Sequence, residues 1–297
     1  MRVFVTGATG FIGTPTVRYL KQAGHDVLGL ARSDANIAKL EQAGVAAHRG
    51  DVTDLDSLRA GARACDGVIH LAYIHDFSRF VEIAEIDLAA VTAISEVLEG
   101  TGKPFSIASG TLMVAAPGRA ATENDPPANP EGPRSASAMR VLAAAEQGVR
   151  SSVVRLAPSV HDRDRKGLVN YLTDLALEKG FSAYVGDGQT RWPAVHRNDA
   201  ARLFQLAIEK AAPGSVLNAV AEEGVTMRAI AEALGESLDL PVRSLTPDEA
   251  GAHFGWMMMF AATDNPTSSD ITRRTLGWTP TGPDLLTDIR ESTYAPA

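Results

Sequence analysis

The stretch Arg2-Val3-Phe4-Val5-Thr6-Gly7-Ala8-Thr9-Gly10-Phe11-Ile12-Gly13 decides the reading of this chain. Val3 to Thr6 is a β-branched and aromatic run, the composition of a buried strand. Three glycines in the spacing GxxGxxG follow at once, and a helical pattern begins after them. A strand that turns sharply into a helix leaves the first helical N–H groups unpaired. Those donors and the positive end of the helix dipole make an anion site suited to a pyrophosphate. Gly7 is expected to supply the tight turn, Gly10 the close approach of phosphate to backbone, and Gly13 the close packing of helix on strand. Gly7, Ala8, Thr9, Gly10, Phe11, Ile12 and Gly13 are thus the expected dinucleotide cradle. The spacing is one residue wider than GxGxxG. A plain strand-to-helix turn is the alternative, and the strand–turn–helix context favours the cradle.

Strand and helix patterns alternate outward from this turn. Helices are expected over Thr14–Ala23, Asp34–Ala43, from Asp54 as N-cap, over Phe77–Glu99 and over Arg134–Gln147. Strands are expected over His25–Ala31, Val45–Gly50, Gly67–Ala72, Pro104–Ser109 and Ser152–Leu156. Alternation of this kind implies right-handed crossovers and a parallel sheet. The expected fold is α/β, a Rossmann-type doubly wound parallel sheet with a smaller C-terminal substrate lobe. The expected division is 1–160 for nucleotide binding and 161–297 for substrate, with a strand and helix near 198–220 returning to the first. Ala115–Pro133, rich in proline, reads as a loop bordering the site. The later stretch holds expected helices at Val169–Lys179, Asn198–Lys210 and Met227–Leu238, a turn region at Tyr184–Arg191, an edge strand at Val216–Val220 and a short strand at Pro241–Leu245.

Among 297 residues the net charge is −8, and no Lys/Arg block occurs, which argues against a nucleic-acid partner. The single cysteine, Cys65, excludes an internal disulfide and fits a reducing compartment. No apolar run is long enough to span a membrane. Because the N-terminus enters a strand directly, neither a signal nor a transit peptide is expected, and a cytoplasmic location is. No His/Cys/Asp spacing points to a metal.

These residues resemble the extended short-chain dehydrogenase/reductase superfamily, which includes NAD(P)-dependent epimerases and dehydratases. The resemblance rests on Thr6–Gly13, Gly50-Asp51, His70-Leu71-Ala72, Arg155 with Pro158, Val195-His196-Arg197-Asn198-Asp199-Ala200-Ala201, and Leu276-Gly277-Trp278-Thr279-Pro280. It implies that Asp51 and Val52 touch adenine and that Leu71, Ala72 and Tyr73 border the diphosphate and ribose. It also implies that Pro158 to Val160 lie beside the nicotinamide. After the second strand, where NAD enzymes carry an acidic group, stand Ala31, Arg32 and Ser33. A guanidinium pairs with a 2′-phosphate that a carboxylate would repel, so the expected cofactor is NADP(H), held by Arg32 and Ser33.

Typical members use Tyr-x-x-x-Lys, and none of the five tyrosines here begins that motif. Ungapped counting puts the lysine position on Arg134 and the tyrosine position on Pro130, so the chain resembles an atypical subgroup. Arg134 can bind ribose hydroxyls, yet it cannot titrate near neutrality. The other catalytic candidates are Ser109 or Thr111 at the end of the fifth strand, Tyr73 and His75 after the fourth, and His161 after the sixth. His25, His48, His70, His196 and His253 read as structural. For the substrate lobe, Trp192-Pro193 and Phe254–Phe260 offer apolar material, either a pocket or a buried amphipathic helix. Arg163, Arg165, Lys166 and Arg191 are the basic groups that a sugar nucleotide would need. The favoured reading is an NADPH-dependent oxidoreductase acting on a small to medium, apolar carbonyl, imine or enone. The alternatives are an NADP-binding sensor without turnover and a sugar-nucleotide epimerase or dehydratase. The expected partners are a small-molecule substrate and, through Phe77–Glu99 and Arg134–Gln147, a second copy of the chain.

Overall fold

The computed structural model describes residues 1–76, 79–114, 116, 118–164 and 166–292. The first half alternates β1 (Arg2–Thr6), α1 (Gly13–Gln22), β2 (Asp26–Ala31), α2 (Asp34–Gln42), β3 (Ala46–Arg49), α3 (Leu55–Arg63), β4 (Gly67–His70), α4 (Phe80–Leu98), β5 (Pro104–Gly110), α5 (Pro133–Ala143) and β6 (Arg150–Leu156). Local chemistry sets the boundaries. The Asp54 side chain accepts from Ser57 N at 3.0 Å and starts α3, a cap worth about 1 kcal/mol. Pro133 sits in the first turn of α5, where its missing N–H costs nothing.

Further along lie β7 (Ser159–His161), α6 (Leu168–Lys179), β8 (Ser182–Val185), β9 (Arg191–His196), α7 (Arg197–Lys210), β10 (Ser215–Ala219), β11 (Glu222–Thr226), α8 (Met227–Leu238) and β12 (Val242–Leu245). The chain ends with α9 (Pro247–Phe254), α10 (Met258–Ala261), α11 (Asp270–Leu276) and α12 (Leu285–Glu291).

Among the described residues, seven strands form one sheet in the order β10-β6-β5-β4-β1-β2-β3. Every pairing in it is parallel. The winding reverses between β1 and β4, and ligands of such sheets bind at the carboxyl ends of the strands beside that reversal. Side chains alternate across β1. Val3 and Val5 join the buried cluster that holds Val17, Leu20, Leu203 and Phe204 from α1 and α7. Phe4 faces the opposite cluster, with Leu58, Ile94 and Phe105. Each such side chain, fully buried, stabilises the fold by roughly 1.5–3 kcal/mol. α7 packs on this main sheet, and β10 is its edge strand beside β6.

A third cluster, including Leu172, Trp192, Met227, Ile230, Phe254 and Ile289, lies under the small sheets β11-β9-β7 and β12-β8. Several local expectations are corrected here. The Tyr184–Arg191 turn begins inside β8 and ends at the start of β9. The helix expected to Gln147 ends at Ala143 and tightens into three-residue turns up to Gly148, whose φ is +75°. α4 starts at Phe80, and Phe77 lies outside the described residues. The Phe254–Phe260 stretch is broken after Phe254 by Gly255, at φ +54°. Phe254 and Met257 turn inward, while Trp256 and Met259 stay exposed.

Candidate functional site

The glycine turn closes directly over the reversal point. Gly7 has φ +68°, and a Cβ on it would meet Leu71 C and Ala72 N at 2.8 Å. A Cβ on Gly13 would fall 1.9 Å from Gly7 O, so only glycine lets α1 start this close to β1. No side chain caps α1 at Ile12, and no acidic residue sits in its first turn. Among the described residues, the backbone N–H groups of Phe11, Ile12 and Gly13 have no protein acceptor. Uncapped donors at a helix N-terminus fit an anion, and this cradle fits a diphosphate.

Beside the ends of β2 and β3, Arg32 Nη1 lies 3.6 Å from Asp51 Oδ2. The Arg32 side chain is 81% exposed and free to turn toward a ligand. Asp51 accepts from Thr53 N at 3.0 Å and from Thr53 Oγ1 at 2.8 Å. Burial pushes its carboxyl up, but those bonds and the Arg32 charge outweigh it and hold the carboxyl below its ordinary value. The Ser33 hydroxyl accepts from Asn36 N at 3.3 Å as the N-cap of α2, which leaves its proton free to donate.

Past the end of β4 the chain brings three candidates together. The Arg134 guanidinium lies 4.1 Å from the centre of the Tyr73 ring. His75 meets the same ring edge-on, with centroids 5.5 Å apart. Arg134 Nη1 is held 2.9 Å from Asp87 Oδ2, a carboxylate on α4 that is 7% exposed. Burial pushes the Tyr73 phenol up, and Arg134 opposes that rise. Burial lowers His75, and the Arg134 charge adds to the lowering, against the Tyr73 backbone bond. Asp87 is raised by burial but lowered further by His70, Arg134 and Ser137, so its carboxyl lies below the ordinary range.

The remaining candidates are placed differently. Ser109 stands opposite Arg155 in the β5–β6 pairing. Its hydroxyl has no partner among the described residues. Thr111 is fully buried and donates to Asn265 Oδ1 at 2.7 Å, while Asn265 Nδ2 donates back to Thr111 O at 3.1 Å. His161 belongs to another cluster, with Nδ1 2.7 Å from Asp288 Oδ2 and its ring edge-on to His196 at 5.7 Å. His196 caps α7, accepting from Asn198 N at 3.3 Å. Pro130 precedes α5 and is exposed, so it shares no helix face with Arg134.

Two of the nominated basic groups of the second lobe are engaged with acids. Arg191 holds Asp264 through Nε at 3.0 Å and Nη2 at 2.7 Å, and Arg163 pairs with Glu291 and Asp288. Arg165 lies outside the described residues. Sequence reasoning missed Asp87, Asn265 and Asp288. Asp87 carried a visible signal, a lone acid on the apolar stripe of Ile83, Ala84, Ala90, Val91 and Ile94.

The sequence model of the NAD dependent epimerase/dehydratase family matches residues 3–219. An uncharacterized protein of Schizosaccharomyces pombe is 47% identical over 294 residues, 99% of this chain and 100% of the relative. An uncharacterized protein of Saccharomyces cerevisiae is 43% identical over 293 residues, 98% of each chain. Among solved structures, a Thermus thermophilus UDP-glucose 4-epimerase in complex with NAD has the same fold, with TM-score 0.75, 22% identity, and 98% and 97% of the two chains covered. Among the described residues no helix is long and apolar enough to cross a membrane. The glycine cradle, the winding order and the match over residues 3–219 agree, and the chain belongs to the NAD dependent epimerase/dehydratase family.

Proposed function

We propose that this chain is an NADPH-dependent oxidoreductase that reduces a small to medium, apolar carbonyl, imine or enone, with Tyr73 as proton donor and Arg134 as its cationic partner. The observation that carries this is the 4.1 Å approach of the Arg134 guanidinium to the Tyr73 ring. The sequence has no Tyr-x-x-x-Lys, and this pair supplies the same two functions from two different elements, a phenol and a fixed positive charge. A cation over the ring stabilises the phenolate left after proton transfer. Burial raises the phenol, and the Arg134 charge opposes that rise. The uncapped N–H groups of α1 would hold the diphosphate, Arg32 and Ser33 the 2′-phosphate, and Arg134 the nicotinamide ribose. The bound cofactor supplies the hydride. Ser109 would hold the acceptor oxygen.

The ion pairs of Arg191 and Arg163 favour an apolar acceptor, because they leave these two cations paired with acids and not open to a nucleotide's phosphates. The methionine-rich segment supports the same reading. It runs from Phe254 to Phe260, five residues before the Asn265 that clamps the end of β5. α4 and α5 pack together, with Phe80, Val81 and Met139 exposed on them, which supports pairing with a second copy. The test is NADPH oxidation across a panel of aryl and alkyl ketones, imines and enones. Turnover that disappears in Tyr73→Phe supports the assignment, and no oxidation above background with any member refutes it.

A further inference from the structure

We propose that His70 is a positioning residue, which transmits the geometry of the glycine turn through Asp87 to Arg134; this rests on the Tyr73–Arg134 reading above. His70 ends β4 opposite Thr6, the residue before the turn, and is 3% exposed. The Thr6 hydroxyl accepts from Ala72 N at 3.2 Å and shares Leu71 N, also at 3.2 Å, with the Thr6 carbonyl. These N–H groups occupy its acceptor side, so its single proton is directed to His70 Nδ1, 2.9 Å away. A proton on Nδ1 would set donor against donor. The ring proton therefore sits on Nε2, which faces Asp87 Oδ1 at 3.4 Å. Nε2 has no hydrogen-bond partner among the described residues, so this approach is a long, charge-directed one.

Asp87 passes the constraint on, because its other oxygen holds Arg134 at 2.9 Å. The Leu71–Ala72 peptide, whose N–H donates to the Thr6 hydroxyl, is the same one that Gly7 packs against. Cradle and catalytic cation thus share one buried line, Thr6–His70–Asp87–Arg134. Loss of its middle member frees Arg134 to leave the Tyr73 ring, and the cradle keeps its own geometry.

Two measurements test this. In protein labelled with ¹⁵N at histidine, a long-range ¹⁵N–¹H spectrum at neutral pH reports the tautomer of His70, assigned by its loss in a His70 variant. The expected pattern is the Nε2–H tautomer, and an Nδ1–H pattern overturns the proposal whether or not any substrate turns over. A failed function with the expected tautomer would count against Tyr73 as donor and leave this line of contacts standing. The second measurement compares His70→Gln, which restores a donor at the Nε2 place, with His70→Asn, which restores only an acceptor at the Nδ1 place. Expected are a kcat within about fivefold of the parent for Gln and about 30-fold lower for Asn. Equal kcat in the two folded variants, or better function in Asn, assigns His70 a purely structural role and overturns the proposal.

Discussion

Arg134 is held from two sides, by the Asp87 carboxylate at 2.9 Å and by the face of the Tyr73 ring at 4.1 Å. On the proposed reading, a cation fixed in this way acts on the phenol with little conformational freedom left to lose. Tyr73→Phe is expected to lower kcat about 10²- to 10⁴-fold, the usual contribution of a general acid. Its NADPH affinity should stay within about twofold. Arg134→Lys keeps the charge and loses the planar stack, so a loss of about tenfold is expected. Steady-state kinetics with a substrate from the carbonyl panel gives both numbers. Tyr73→Phe with parental kcat removes the phenol from the mechanism.

Gly13→Ala tests the cradle. The added methyl would sit 1.9 Å from Gly7 O, which is backbone and cannot turn aside. α1 must move, at a cost of roughly 1–3 kcal/mol for overpacking. A lower melting temperature is expected, along with loss of NADPH binding by calorimetry. Unchanged binding would mean that the phosphates do not lie on this turn.

Asp87 predicts a pH signature in stability. Its folded carboxyl lies below the ordinary value, despite burial, because His70 and Arg134 favour the anion. A depressed folded value adds stability above the unfolded value, near 3.9, and that stability is lost as pH falls through the folded one. The gap in unfolding free energy between the parent and Asp87→Asn should therefore be level from about pH 6 to 8 and shrink below about pH 4. Urea denaturation at each pH measures it. A gap that widens in acid contradicts the ionised pairing.

Trp256 is 44% exposed and meets Tyr171 edge-on, with ring centroids 5.1 Å apart. If this aromatic surface takes the apolar acceptor, Trp256→Ala should raise its KM about tenfold, a modest share of an aromatic contact. The NADPH KM and the melting temperature should stay at parental values. An unchanged acceptor KM would place the substrate elsewhere.

The doubly wound core was legible because its signals are local. Val3–Thr6 and the glycine spacing read directly from neighbouring residues, and Asp54 announced α3 as its cap. The second lobe was less legible. Strands such as β7 and β11 are three and five residues long and gain their stability only by pairing with β9. Tyr73, His75 and Arg134 could each be nominated from position, but their convergence could not. It depends on Asp87, which is 47 residues from Arg134 in sequence. Thr111 illustrates the same limit. Its place after β5 marked it as a candidate, while the Asn265 that engages its hydroxyl is 154 residues away.

The most direct test is calorimetric titration of NADPH and NADH into the parent protein and Arg32→Ala. A charge-assisted bond to phosphate is worth about 1.5–3 kcal/mol. Arg32 is 81% exposed and solvent screens it, so about tenfold tighter binding of NADPH over NADH is expected. In Arg32→Ala that preference should fall to the small share that Ser33 supplies, with NADH affinity unchanged. No heat with either dinucleotide in a folded sample, or NADH binding as tightly as NADPH to the parent, would contradict the account.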